Sequence, residues 1–129
     1  MLNKNAILQA VDIVIEKVEV PEWAGFVYVK SMTGAEKDDY DNSVVDISGE
    51  KVKVDMKNAR AKMCARTICD KDGKLLFALS DVNALGKKNG AVLERIFDVA
   101  RRLSGYGKDE IKNLAKNSKS AQAESSISG

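Results

Sequence analysis

The side chains able to do chemistry are few and badly placed for it. Histidine is absent from the 129 residues, which removes the commonest general base, nucleophile activator and metal ligand. Serine–histidine and cysteine–histidine catalysis are thereby excluded. Cys64 and Cys69 are the only thiols. On one helix their spacing amounts to about 500° of turn, so the side chains point different ways. They suit neither a disulfide nor a zinc site, which needs four nitrogen or sulfur ligands at CxxC-like spacing. In a reducing cytosol they read as small helix residues. Asp38-Asp39-Asp41 is the densest acidic cluster and could offer acid–base carboxylates, but such a run near a helix start is ordinarily a solvated face. Asp70-x-Asp72-Gly73 has the look of a calcium loop. Setting Gly73 at that loop's sixth position puts Ile68 first and Leu79 twelfth, where carboxylates are required, so the segment reads as a turn. Neither GxxxxGK[ST] nor GxGxxG occurs, which removes the usual phosphate cradles. No catalytic residue, metal ligand or cofactor is expected.

What remains is contact with a partner. Trp23, the single tryptophan, sits beside Pro21 in a turn. It serves either as an exposed aromatic anchor or, more commonly, as a ring folded over a sheet. A short closing helix, Asp109 to Lys116, has only Ile111, Leu114 and Ala115 to bury. Its own packing would hold it weakly, which makes Ile111 and Leu114 candidates for partner contact. Arg101-Arg102 with Lys108 and Lys112 form a modest basic patch, fit for an acidic partner and equally for solvating a helix end.

The elements that must position these residues follow from periodicity. Val11, Ile13 and Ile15, then Val18 and Val20, alternate as a strand whose parity switches near Glu16-Lys17, as at a bulge. Residues 21–25 are a turn and Phe26 to Lys30 a second strand, giving a hairpin. Thr33-Gly34-Ala35-Glu36 fits a capping box, and the helix it opens runs to about Val45 with Tyr40, Val44 and Ile47 on one face. Residues 51–54 carry a short strand. A second helix spans 56–69, with Ala61, Cys64, Ala65 and Ile68 at i, i+3, i+4 and i+7. Leu75-Leu76-Phe77 reads as a short strand after the Asp70–Gly73 turn, and Ser80 as the cap of a helical turn through Leu85. Residues 90–103 show the clearest stripe, Val92, Leu93, Ile96, Phe97, Ala100 and Leu103, with charged residues opposite. Gly105 would close that helix. The Ser-rich stretch NSKSAQAESSISG lacks a large periodic apolar set and reads as a flexible tail.

The expected fold class is therefore α+β. An N-terminal antiparallel hairpin or small sheet packs against several amphipathic helices in one domain over 1–117, with a disordered C-terminal tail over 118–129. A chain of this length buries roughly two-thirds of its unfolded surface and needs no staples. With 21 basic and 19 acidic side chains the net charge is +2, far from the basic excess of a dedicated nucleic-acid binder. No window reaches transmembrane length, and MLNKNAILQAVDIVIEKVEV is unlike a signal peptide. A cytosolic, membrane-independent protein is the expectation.

Taken in order, LNKNAILQA, VEVPEW, SMTGAEKDDY, NARAKMCARTICDKDGKLLF, SDVNALGKKNGAVLERIFDVARRLSG and KNLAKNS resemble the tail assembly chaperones of lambda-like, long-tailed phages with non-contractile tails. The features that carry the resemblance are Val18 to Trp23, Thr33 to Glu36, Asp70 to Phe77 and Leu93 to Gly105. It covers roughly residues 1–117 and rests on number and order, since each feature alone is ordinary cap or turn chemistry. It implies a non-catalytic protein of the infected bacterium's cytoplasm, absent from the mature virion. Such a chaperone binds the tape measure protein, keeps it soluble and promotes assembly of the tail tube around it. The tail tube protein would be met chiefly through a longer, frameshifted form, of which this chain would be the shorter counterpart. Coating a long partner takes many copies, so self-association is a further expectation. The rival readings are a structural tail protein retained in the virion and a small nucleic-acid-associated regulator using Arg101, Arg102 and Lys108.

Overall fold

The computed structural model describes residues 1–114. The tail expected at 118–129, and the last residues of the expected closing helix, lie outside the described residues.

Two strands rich in β-branched and aromatic residues pair along their whole length. β1 (Ile15–Val20) and β2 (Gly25–Lys30) are antiparallel, in register from Ile15↔Lys30 to Val20↔Gly25. Proline fits the first position of a tight turn, and Pro21–Trp23 forms one turn of 3-10 helix. Ala24 then takes a left-handed conformation, with φ 55°, and its N–H donates to the Pro21 carbonyl at 2.9 Å. Val18 and Val20 face inward with Val29, all buried. On the outer face Phe26 meets Tyr28 edge to face at 5.5 Å and Lys17 Nζ lies 4.1 Å from the Phe26 ring centroid.

The helices lie behind this hairpin. α1 (Lys4–Gln9) precedes it and is described below. α2 (Gly34–Val44) starts with the reciprocal cap that the sequence announces. The Glu36 N–H donates to Thr33 Oγ1 at 3.1 Å, and the Thr33 N–H donates to Glu36 Oε1 at 2.9 Å. Tyr40 and Val44 are fully buried, and the Tyr40 hydroxyl donates to the Ala59 carbonyl. Two-residue strands β3 (Val45–Asp46) and β4 (Lys53–Val54) pair next. α3 (Ala59–Thr67) runs directly into β5 (Ile68–Cys69), which adds to the free edge of β2 through Val29↔Ile68. The sheet order is β1-β2-β5. After the Asp70–Gly73 turn, where Gly73 holds φ 85°, come a 3-10 turn at Leu79–Asp81, α4 (Val82–Leu85) and α5 (Gly90–Leu103). α5 buries Val92, Leu93, Ile96, Phe97 and Ala100 against α3 and the sheet. Asn89 Oδ1 accepts from the N–H groups of Ala91 and Val92 in the first turn of α5, and Gly105, at φ 85°, closes it. The α+β reading holds: among the described residues a small antiparallel sheet and four of five helices pack against one core, with α1 standing off it.

Several local expectations are corrected. Val11 and Ile13 belong to no strand; β1 begins at Ile15. The parity switch therefore marks where the sheet starts and not a bulge. Ile47 is exposed, since α2 ends at Val44. α3 starts at Ala59 and not at 56, because Asn58 sits in the left-handed region at φ 57°. Leu75 makes only a single bridge to Cys69, so 75–77 is not a strand. Ser80 caps nothing; the Asp81 carboxylate accepts the Ala78 N–H at 2.8 Å. Residues 108–113 are turns, and Ile111 among them and Leu114 just after them are held more firmly than the sequence suggests, 3% and 8% exposed and both within the core.

Candidate functional site

The groups with reactive potential are dispersed. Burial pushes the Cys64 thiol up to about 12, so it is protonated at any physiological pH. Burial raises the Cys69 thiol as well. The acidic cluster divides among separate partners. Asp39 accepts from Arg66 Nη2 at 2.9 Å, and Asp41 accepts from the Tyr106 hydroxyl at 2.5 Å. Asp38 is exposed to solvent. Burial raises the Asp41 carboxyl despite that hydrogen bond, and burial followed by the adjacent carboxylate raises the Tyr106 phenol. Asp70 accepts from the N–H groups of Asp72 and Lys74 at 2.8 and 3.0 Å, which lowers its pKa and marks it as turn chemistry. Among the described residues no three His, Cys, Asp or Glu side chains converge as a metal-binding set.

Apolar surface is what the molecule presents instead, in two places. The first is a groove of about 820 Å³ at the turn end of the hairpin, with Trp23, Leu76, Phe77, Ala84 and Leu85 as its apolar lining. Trp23 is half-buried against the core, and Lys88 Nζ lies 5.8 Å from its ring centroid. The residue thus packs partly on the core and also lines an open surface. Glu22, at the rim, grips Arg95 of α5 through two hydrogen bonds, at 2.9 and 2.5 Å. These hydrogen bonds hold its carboxyl down at about 2. Leu76 and Leu79 beside the groove stay more than half exposed. A smaller groove of about 400 Å³ opens on the other side of Phe77, above Ala65 and Arg66.

The second surface is an N-terminal arm. Asn3 caps α1, its Oδ1 accepting the Ala6 N–H at 2.9 Å, yet no residue of α1 is buried. Leu2, Ile7, Leu8 and Val11 are all exposed, Val11 at 96%. The arm joins the domain at Val14, whose carbonyl accepts the Ser31 N–H at 2.8 Å and whose N–H donates to Ser31 Oγ at 3.0 Å. Sequence reasoning named Trp23 and missed the arm. The available signal was the odd-numbered set Val11, Ile13 and Ile15, which fails to continue the inward face of β1.

A family model described as phage tail assembly chaperone matches residues 3–123. The chain belongs to that family. No curated protein matches it. Among solved structures, the bacteriophage HK97 tail assembly chaperone superposes with a TM-score of 0.54 at 22% identity, covering 70% of this chain and 85% of that one. The two share a fold. In the present chaperone Arg101 and Arg102 are engaged with Asp98 and Glu16, so half of the basic patch foreseen for an acidic partner is already paired within the domain. Ile111 and Leu114 face the core, and a partner would reach them only after the 108–114 turns had come away.

Proposed function

We propose that this chaperone binds the tape measure protein, keeps it soluble and promotes assembly of the tail tube around it, without catalysing a reaction. The observation that carries the reading is the pairing of family membership with open apolar surface where an enzyme would have a cleft of converging polar groups. A long, aggregation-prone partner is best covered by shallow apolar surface repeated over many copies. Trp23 is the proposed anchor, since an aromatic ring half-seated in its own domain is stiff and loses little freedom on binding. Ile111 and Leu114 would join it on release of the closing turns. The tail tube protein would be met chiefly through a longer form of the chain. The proposed site of action is the host cell cytoplasm, with the chaperone absent from the mature virion.

The test is co-expression with the tape measure protein of the same phage, followed by pull-down and a solubility assay. The reading predicts that the tape measure protein becomes soluble and co-purifies with several copies of this chain. It fails if that protein stays insoluble and unbound. Recovery of the chain in purified virions would favour the structural tail protein instead.

A further inference from the structure

The basic residues that the sequence groups together are regrouped by the fold. Arg102 turns away to pair with Glu16, and Arg60 of α3 takes its place. Arg60, Arg101 of α5, and Lys108 and Lys112 of the closing turns rim one small pocket, whose floor is Met56, Phe97 and Ile111. Arg60 is paired with Glu94 and Arg101 with Asp98, so these two cations are already neutralised within the domain. Lys108 and Lys112 are not: both are exposed, and neither forms an ion pair among the described residues. The acids on the same turns do not offset them. Glu110 accepts the Gly107 N–H at 3.1 Å and its charge bears on Asp41 and Tyr106, and neither it nor Asp109 lines the pocket. The paired arginines also keep donors to spare. Both hold their carboxylates through Nε, which leaves the Nη groups of Arg60 and Nη2 of Arg101 without an acceptor among the described residues.

We propose that this pocket takes an acidic peptide segment of a partner protein, with one short aliphatic side chain on the floor and its flanking carboxylates on the rim. The rim selects the charge. Two uncompensated ammonium groups and the spare guanidinium N–H donors are matched by carboxylates, which accept from both. The cavity selects the rest. Its volume is about 50 Å³, against the roughly 150 Å³ of a cavity that takes a benzene ring. That is space for a few methyl groups and none for a nucleobase, so a nucleic acid would reach the rim only. Phe97 and Ile111 are themselves nearly sealed from solvent, so the attraction is chiefly one of charge and weakens as salt is raised. The inference stands apart from the tape measure reading, because its test contains no tape measure protein.

The experiment is a titration of the full chain with the capped peptide Ac-EEVEE-NH2, followed by calorimetry and by backbone amide chemical shifts. The peptide should bind, with shift changes centred on Met56, Arg60 and the turns from Lys108 to Lys112. Ac-QQVQQ-NH2 has the same shape without the charge and should bind roughly tenfold or more weakly. Ac-EEGEE-NH2, which has nothing to place on the floor, should also bind more weakly than Ac-EEVEE-NH2. Lys108→Glu combined with Lys112→Glu alters two exposed positions, so it should keep the wild-type circular dichroism and lose the peptide. Lys71→Glu combined with Lys74→Glu makes the same change of net charge at the Asp70–Gly73 turn, also at exposed positions, and should bind as wild type does. Equal weakening in the two double variants would mean that the peptide reads only net charge, and would overturn the proposal. So would a wild type that binds no acidic peptide at millimolar concentration, or one that binds the glutamine or the glycine peptide equally well. A short oligothymidylate that binds more tightly than Ac-EEVEE-NH2 would overturn it in favour of nucleic acid.

Discussion

α5 and α1 are both capped helices that bear apolar side chains, and they meet opposite fates. α5 runs from Gly90 to Leu103, is capped by Asn89, is closed by Gly105, and finds α3 and the sheet opposite its stripe. Val92, Ile96 and Ala100 are sealed from solvent. α1 has its own cap in Asn3, but no described element lies across from Ile7 and Leu8. Capping satisfies the first N–H groups of a helix in either setting; it does not supply a partner face. Apolar periodicity states what must be covered and leaves open whether the same chain or another molecule covers it.

The largest effect should come from cutting into the covered helix. Ile96→Ala removes a fully buried α5 side chain from the core and should cost about 2–5 kcal/mol of unfolding free energy, read from the urea midpoint. Leu8→Ala, measured at a concentration where the chain is monomeric, should change stability by no more than about 0.5 kcal/mol. Equal losses would mean that α1 belongs to the cooperative core, and the contrast would collapse. The caps sharpen the same point at smaller scale. Thr33→Ala breaks the reciprocal cap of α2, whose Tyr40 and Val44 sit in the core, and should cost about 0.5–2 kcal/mol. Asn3→Ala deletes a hydrogen bond of similar geometry but should leave global unfolding unchanged, since nothing in the core depends on α1.

Local signals were legible and tertiary ones were not. Thr33-Gly34-Ala35-Glu36, the stripe on 90–103 and Gly105 are each decided by neighbours within a few residues, and each appears as read. The hairpin too was visible, because β1 and β2 are contiguous runs of β-forming residues. Leu75-Leu76-Phe77 misled because three successive apolar residues look like a strand, whereas only Leu75 finds a pairing partner. Ile111 and Leu114 were judged by the little apolar surface on their own segment. What holds them is distant in sequence, with Met56 and Phe97 lining the same small cavity as Ile111. Half of the candidate site, Trp23 in its turn, was legible from residue type. The other half, the arm, was hidden because Val11 and Ile13 were absorbed into the neighbouring strand and Leu2, Ile7 and Leu8 were given no role.

The smallest predicted effect concerns how the groove is held. Glu22 and Arg95 join the hairpin turn to α5, so the groove is tied to a core helix while the arm is not. The Glu22 carboxyl is lowered from the ordinary 4.5 to about 2, first by its hydrogen bonds to Arg95. A folded-state pKa below the unfolded one adds stability that is fully present above about pH 4.5 and is lost as pH falls toward about 2. Both side chains are substantially exposed, so the gain is modest and weakens with salt. The thermal midpoint of Glu22→Gln should therefore lie below wild type at neutral pH and converge on it across that acid window, with the gap narrowed by added salt. A gap that does not change with pH would mean that the pair adds nothing through charge, and that the turn end of the hairpin is fixed by Trp23 packing alone. If the gap behaves as expected, the groove keeps its acidic rim down to mildly acid pH, and the same measurement repeated on Leu8→Asp should give an unchanged curve, because the arm takes no part in that clamp.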